Sequence, residues 1–155
     1  MSFIVIPKRK SLPPYRTVRP EPIAMPAIDG VTPIIVHDSA VVFIIDGGGS
    51  AITTGEKGFI RLPFAGVIQS ATLLADQSGS IVIDIWKDTL ANFPPTNADS
   101  ITASAPPTLS SDDASVDITL TDWTTDFEVG DILAFKVDSC TTITRVTLTL
   151  IVRRT

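Results

Sequence analysis

The sequence predicts an all-β protein, an antiparallel β-sandwich of jelly-roll or Greek-key type, preceded by an extended proline-rich N-terminal arm. Three observations carry this. The apolar residues are 44% of the chain and aromatic residues only 6%, so the hydrophobic content rests on Ile, Val, Leu and Ala, and branched side chains suit a pleated, half-buried surface. Fourteen of the seventeen acidic residues are Asp, and Ser and Thr abound; these types are poor in helix interiors and good in turns, caps and strand faces. Seven of the twelve prolines (Pro7, Pro13, Pro14, Pro20, Pro22, Pro26 and Pro33) fall in the first 33 residues, where they exclude regular helix and central strand.

The arm, residues 1–33, is set apart by charge as well. Residues 1–28 hold Lys8, Arg9, Lys10, Arg16 and Arg19 against Glu21 alone, while the remainder holds seven basic and sixteen acidic side chains. A basic arm therefore leads into an acidic body. Stretched in polyproline-like geometry at about 3.1 Å per residue, thirty residues reach on the order of 90 Å, longer than the body is wide. Too little of the arm is apolar for it to pack on itself, so docking on a partner subunit is expected.

The body, residues 34–155, is long enough for one domain with a core of its own. Ile34 to Val36 and Ala40 to Ile45 open it as the first apolar stretch. The run DGGG, Asp46 to Gly49, follows as a tight turn of hairpin type in which glycine supplies positive φ. Gly58 to Pro63 and Gly66 to Ala75 are expected strands, and ADQSGS then marks a turn. In SIVIDIWKD, Ile81, Ile83 and Ile85 alternate with Val82, Asp84 and Trp86, the period-two pattern of a half-buried strand. Residues 92–114, with two Pro-Pro pairs, read as a long loop holding one short helical turn, which suits a Greek-key crossover. Strands resume at Ser115 to Leu120, Asp131 to Asp138 and Thr142 to Val152. The last of these sets Val146, Leu148, Leu150 and Val152 on one face and Arg145, Thr147 and Thr149 on the other.

The chemistry-bearing motifs are thin. A P-loop needs four residues between its glycines and a lysine directly after the second, opening a helix; here five separate Gly49 from Gly55, Glu56 precedes Lys57, and the strand-like FIRLPF follows. His37 and Asp38 are neighbours that face opposite sides of a strand, and no nucleophile context accompanies them. The lone cysteine, Cys140, excludes an intrachain disulfide and a cysteine-cluster metal site. Asp112, Asp113 and Asp117 lack calcium-loop spacing and read as turn residues, as do most other aspartates. Trp86, Trp123 and Phe127 are the candidates for a sugar-stacking platform, against the alternative of closing the sheet edge. The acidic body disfavours nucleic-acid binding, no apolar run approaches the ~20 residues of a membrane helix, and MSFIVIPKRK reverses the order of a secretory signal. No cofactor, metal or enzyme activity is expected.

IDGGGSAITTGEKGFIRLPFAG, LLADQSGSIVIDIWKDTLANFPPT and LTDWTTDFEVGDILAFKVDS ahead of TTITRVTLTL together resemble a block of structural proteins from tailed bacteriophages and prophages. The resemblance spans about residues 40–152 and omits the arm. It implies a virion setting that includes capsid cement or decoration proteins, head fibres and tail-fibre tips, and it supplies no catalytic residues. The arm favours the first. The expectation is a non-enzymatic cement protein on the capsid surface, assembled in the host cytoplasm. It forms a homo-oligomer, a trimer by the threefold positions capsids offer. It grips the major capsid protein through Phe3, Ile4, Val5, Lys8, Arg9, Lys10, Tyr15, Arg16 and Arg19. The alternative is a receptor- or glycan-binding fibre module, with an aspartate-based hydrolase ranked below both.

Overall fold

The computed structural model describes residues 37–155, and these form one curled antiparallel sheet. Its strands are β1 (His37–Asp46), β2 (Gly55–Arg61), β3 (Gly66–Asp88), β4 (Thr108–Asp117), β5 (Asp126–Phe127), β6 (Ile132–Thr141) and β7 (Arg145–Arg154). Two single 3-10 turns, Leu90–Asn92 and Asn97–Asp99, lie between β3 and β4. The order across the sheet is β1-β7-β3-β6-β2, with β4 and β5 added along β3. The all-β antiparallel class thus stands as read, while residues 34–36 and every arm residue named above lie outside the described residues.

One strand organises the rest. At about 3.3 Å per residue a straight 23-residue β3 would be roughly twice as long as a body of this size is wide. It is accommodated because its two halves pair with different partners. Gly66 to Ala75 pair with β7, Ser80 to Asp88 with β6, and β4 bonds to both halves along the other edge. The sheet curls about the break between them. Phe43 of β1 consequently stacks on Phe135 of β6, ring centroids 4.2 Å apart, although β7 and β3 separate those strands within the sheet.

The enclosed face carries the core. Ile81, Ile83 and Ile85 of β3, Phe135 and Val137 of β6, and Val146, Leu148, Leu150 and Val152 of β7 are all fully buried. Here the period-two reading of β7 holds residue by residue, and that of β3 holds for its isoleucine face. Val41 and Ile45 of β1 join them, whereas Val42 and Ile44 between and beside them are exposed.

Five expectations about local structure change. ADQSGS is not a turn: Ala75 to Ser80 stay within β3, and their polar side chains bond to the corner between β6 and β7 instead of closing a hairpin. Asp76 accepts from the Thr144 amide at 3.2 Å, the Arg145 amide at 3.0 Å and the Thr144 hydroxyl. Gln77 donates to the Thr142 carbonyl, and the Thr142 hydroxyl donates to the Ser78 carbonyl at 3.2 Å. Thr142 itself sits at φ 66°, a left-handed conformation that a β-branched residue rarely adopts, and this ends β6 and delays β7 to Arg145. The strand expected from Thr142 therefore starts three residues later.

The loop expected over 92–114 is shorter than its composition suggests. LSSDDAS belongs to β4, an outer strand paired only with β3 among the described residues, so its Ser and Asp side chains reach solvent. The strand expected at Ser115 to Leu120 correspondingly ends at Asp117, with Leu120 at φ 47°. The glycine turn does form, with Gly48 at φ 67° and Gly49 at φ 85° and the Gly48 amide donating to Asp46 Oδ1 at 2.7 Å. It does not close a hairpin. β1 pairs with β7 and β2 with β6, so the turn carries the chain from one edge of the sheet to the other.

Two outcomes follow from the corner. A Cβ added to Gly79 would lie 2.5 Å from Thr142 Oγ1 and 2.6 Å from the Thr141 carbonyl oxygen, so Gly79→Ala is expected to cost about 1–3 kcal/mol in urea unfolding. The second concerns acid. The Thr144 hydroxyl foremost, then the Arg145 amide, holds the Asp76 carboxyl below its ordinary value of 3.8. The Thr119 hydroxyl does the same for Asp117, and the Thr89 amide for Asp88. Each of these carboxyls binds protons more weakly folded than unfolded. Its contribution is complete above the unfolded value near 3.9 and is lost as pH falls through the lower folded value. Thermal midpoints followed by circular dichroism should therefore fall below about pH 4, and less steeply in Asp76→Asn.

Candidate functional site

The densest polar constellation among the described residues is built around Asp84. On β3 the alternation that sends Ile83 and Ile85 into the core turns Asp84 and Trp86 to the opposite face, yet both are buried, at 7% and 9% exposure. The chain after β3 returns along the edge of this half of the strand. Trp86 and Ser100 form an isolated antiparallel bridge, the Ile101 amide donates to the Ile85 carbonyl at 2.9 Å, and the Thr124 amide donates to the Ile101 carbonyl at 2.8 Å. A capping box at Thr96 and Asp99 closes the short turn before it.

This returning segment delivers hydroxyls to the aspartate. Asp84 Oδ1 accepts from the Ile85 amide at 2.8 Å, Ser100 Oγ at 2.7 Å and Thr102 Oγ1 at 2.6 Å, while Oδ2 accepts from Trp86 Nε1 at 2.6 Å. A carboxylate offers about four lone-pair positions. Three donors crowd Oδ1, one meets Oδ2, and the carboxylate is buried away from solvent. A general base or nucleophile needs a lone pair directed at open space, so the constellation acts as a clamp that fixes the 96–107 segment to the sheet. Beside it, Lys136 Nζ lies 5.4 Å from the centroid of the Trp86 ring and 2.6 Å from Asp138 Oδ1.

The other candidates are likewise occupied. Asp38 meets Arg153 Nε at 3.1 Å, not His37. Lys57 Nζ donates to Thr53 Oγ1 at 3.0 Å and to the Thr54 carbonyl at 3.4 Å, within the loop that a phosphate would have to enter. Cys140 Sγ donates to the Ile143 carbonyl at 3.6 Å, and burial foremost pushes the thiol above its ordinary value, which suppresses the thiolate. Asp117 Oδ1 accepts from the Thr119 amide and hydroxyl and the Leu120 amide. No group of three or more His, Cys, Asp or Glu side chains is placed to share a metal ion among the described residues.

The aromatic candidates do not converge on one surface. Phe127 is in the core at 3% exposure, Trp86 is buried, and Trp123 is half-buried with its Nε1 donating to the Ala105 carbonyl at 2.8 Å. An open cleft of about 280 Å³ lies between β4 and the Ala105–Thr108 segment, but its carboxyl group, Asp117, is the one already engaged by Thr119 and Leu120.

Sequence reading missed the clamp. Its only local signal is one Asp embedded in IVIDIW; the hydroxyls that make it tolerable come from SIT at 100–102, inside the segment read as a long loop with one short helical turn. No protein-family model, curated protein or solved structure matches the chain.

The clamp makes a specific prediction. Asp84→Ala strands three side-chain donors, at about 1–3 kcal/mol for each that is buried. Chemical denaturation should accordingly register a loss of several kcal/mol, and limited proteolysis should cut first within residues 96–107. A loss of under about 1 kcal/mol, the size of one exposed hydrogen bond, is the contrary outcome.

Proposed function

We propose that this protein is a non-enzymatic structural component of a tailed-bacteriophage virion, a cement or decoration protein that binds the capsid exterior. The observation that carries this reading is a division of chemistry along the chain. The described residues hold seven basic and fifteen acidic side chains, whereas residues 1–33 bring five cations and seven prolines. The polar groups of the sheet are engaged in its own fold: no buried side-chain nitrogen or oxygen among the described residues lacks a partner. A body of that kind presents surface and bulk rather than a reacting group.

On this reading the curled sheet is a jelly-roll sandwich in which β3 passes from one layer to the other, as strands do at sandwich corners. The stack of Phe43 on Phe135 supports it. The arm residues Phe3, Ile4, Val5, Lys8, Arg9, Lys10, Tyr15, Arg16 and Arg19 then supply the grip on the major capsid protein, by strand addition for the apolar group and by charge for the basic one. A homotrimer multiplies the grip through avidity. Burial of Trp86 and Phe127 removes the stacking platform that a glycan-binding fibre module would need, which favours the shell.

Deleting residues 1–30 leaves the whole described core in place. Co-sedimentation with undecorated capsids should show full-length protein on the shell at high copy number and the truncated protein in the supernatant, with unchanged circular dichroism. Equal decoration by the truncated protein overturns the reading.

A further inference from the structure

The outward face of the β1-β7-β3-β4 half of the sheet carries no charge over its central rows. Register sets Val42, Thr149, Thr72 and Val116 in one row across the four strands, and Ile44, Thr147, Leu74 and Ala114 in the next. On β1, β7 and β3 their neighbours, among them Val41, Ile45, Leu148 and Leu73, are core residues, and register continues the same rows to Val116 and Ala114 of β4, so these side chains point away from the core. Val42, Ile44, Leu74 and Val116 are 49%, 60%, 53% and 65% exposed. Charge returns at the ends: Asp38 with Arg153 at one, and Asp46 opposite Arg145 with Asp76 and Asp112 on the adjoining strands at the other.

We infer that this face packs against a second copy of the chain. Three strands about 4.8 Å apart over seven residues at about 3.4 Å, with four residues of β4 beside them, outline on the order of 400 Å² in projection. Side-chain relief carries the accessible area toward the roughly 800 Å² per partner of a stable interface, at the upper end of the patches single chains leave bare. The occupant follows from charge. In a chain with seventeen acidic and twelve basic side chains, an uncharged surface of this extent suits a partner that brings no charge to desolvate, and an identical face does so. Residues 1–33 are the poorer occupant, because their five cations would meet no anion on these rows. Identical faces that meet make a two-fold contact, so the inference rests on the self-association in the reading above and not on its threefold number.

The test is sedimentation velocity on the full-length chain at tens of micromolar, away from any capsid. Wild type is expected to sediment as a whole-number multiple of the chain mass. Val42→Glu with Val116→Glu places like charges in one row of both copies and should weaken association at least on the order of a hundredfold, leaving a single chain with an unchanged far-ultraviolet spectrum. Val129→Glu, equally exposed but off this face, should leave the assembly intact. Should the double variant not fold, Thr149→Lys at the centre of the same row gives the same readout. A monomeric wild type, or an assembly that survives both changes, overturns the inference. An assembly that forms through this face while the truncated protein still decorates capsids refutes the arm reading and leaves this one standing.

Discussion

The crossing of β3 with the corner between β6 and β7 is the constraint on which the remaining structure depends. Strand β3 is shared by both halves of the sheet, and without a defined break it would extend the sheet instead of curling it. Asp76, Gln77 and Ser78 bind the corner residues Thr142, Thr144 and Arg145, and Gly79 lets the two backbones approach where any side chain would collide. A left-handed threonine is tolerated there because its hydroxyl and carbonyl are both held, as expected of strained residues fixed by their surroundings. Once the curl is fixed, Phe43 meets Phe135 and the alternating isoleucines of β3 share one core with the valines and leucines of β7.

The two outward halves of the sheet are finished differently. Along the second half of β3, the 96–107 segment pairs with the strand's edge and delivers its hydroxyls to Asp84, so that half is finished by a polar clamp. Outside the first half, no described segment crosses, and the exposed rows carry valine, isoleucine, leucine and threonine. A buried carboxylate is tolerable only when its lone pairs are met. A bare, uncharged sheet face is stable on its own but suits contact. One half is thereby closed by the chain itself and the other remains available for association.

Much of the fold was legible because it is written in local periodicity. Ile81, Ile83 and Ile85, and Val146 through Val152, declare their facing by alternation alone, and the glycines after Asp46 declare a turn. What escaped was long-range. ADQSGS has the same composition whether it closes a hairpin or bends a strand against partners more than sixty residues away. LSSDDAS looks like loop because an outer strand exposed to water needs few apolar residues. Asp84 reads as an oddity until Ser100 and Thr102, sixteen and eighteen residues on, reach it. The threonine face of β7 was visible in the alternation, but its continuation across β1, β3 and β4 depends on register, which no single strand encodes.

The ladder of β1 on β7 has a mechanical consequence. All ten residues of β1 pair without a shift, beginning with His37 against Arg154, so a pull transmitted from residue 36 enters the body at the terminal rung. The component of that load along the strand is shared by the whole ladder in shear, whereas a sideways component peels the rungs one at a time. Resistance to such loading is a rate property, set by the barrier to rupture and not by equilibrium stability. The same body would therefore hold firmly or release readily according to the direction of the tension.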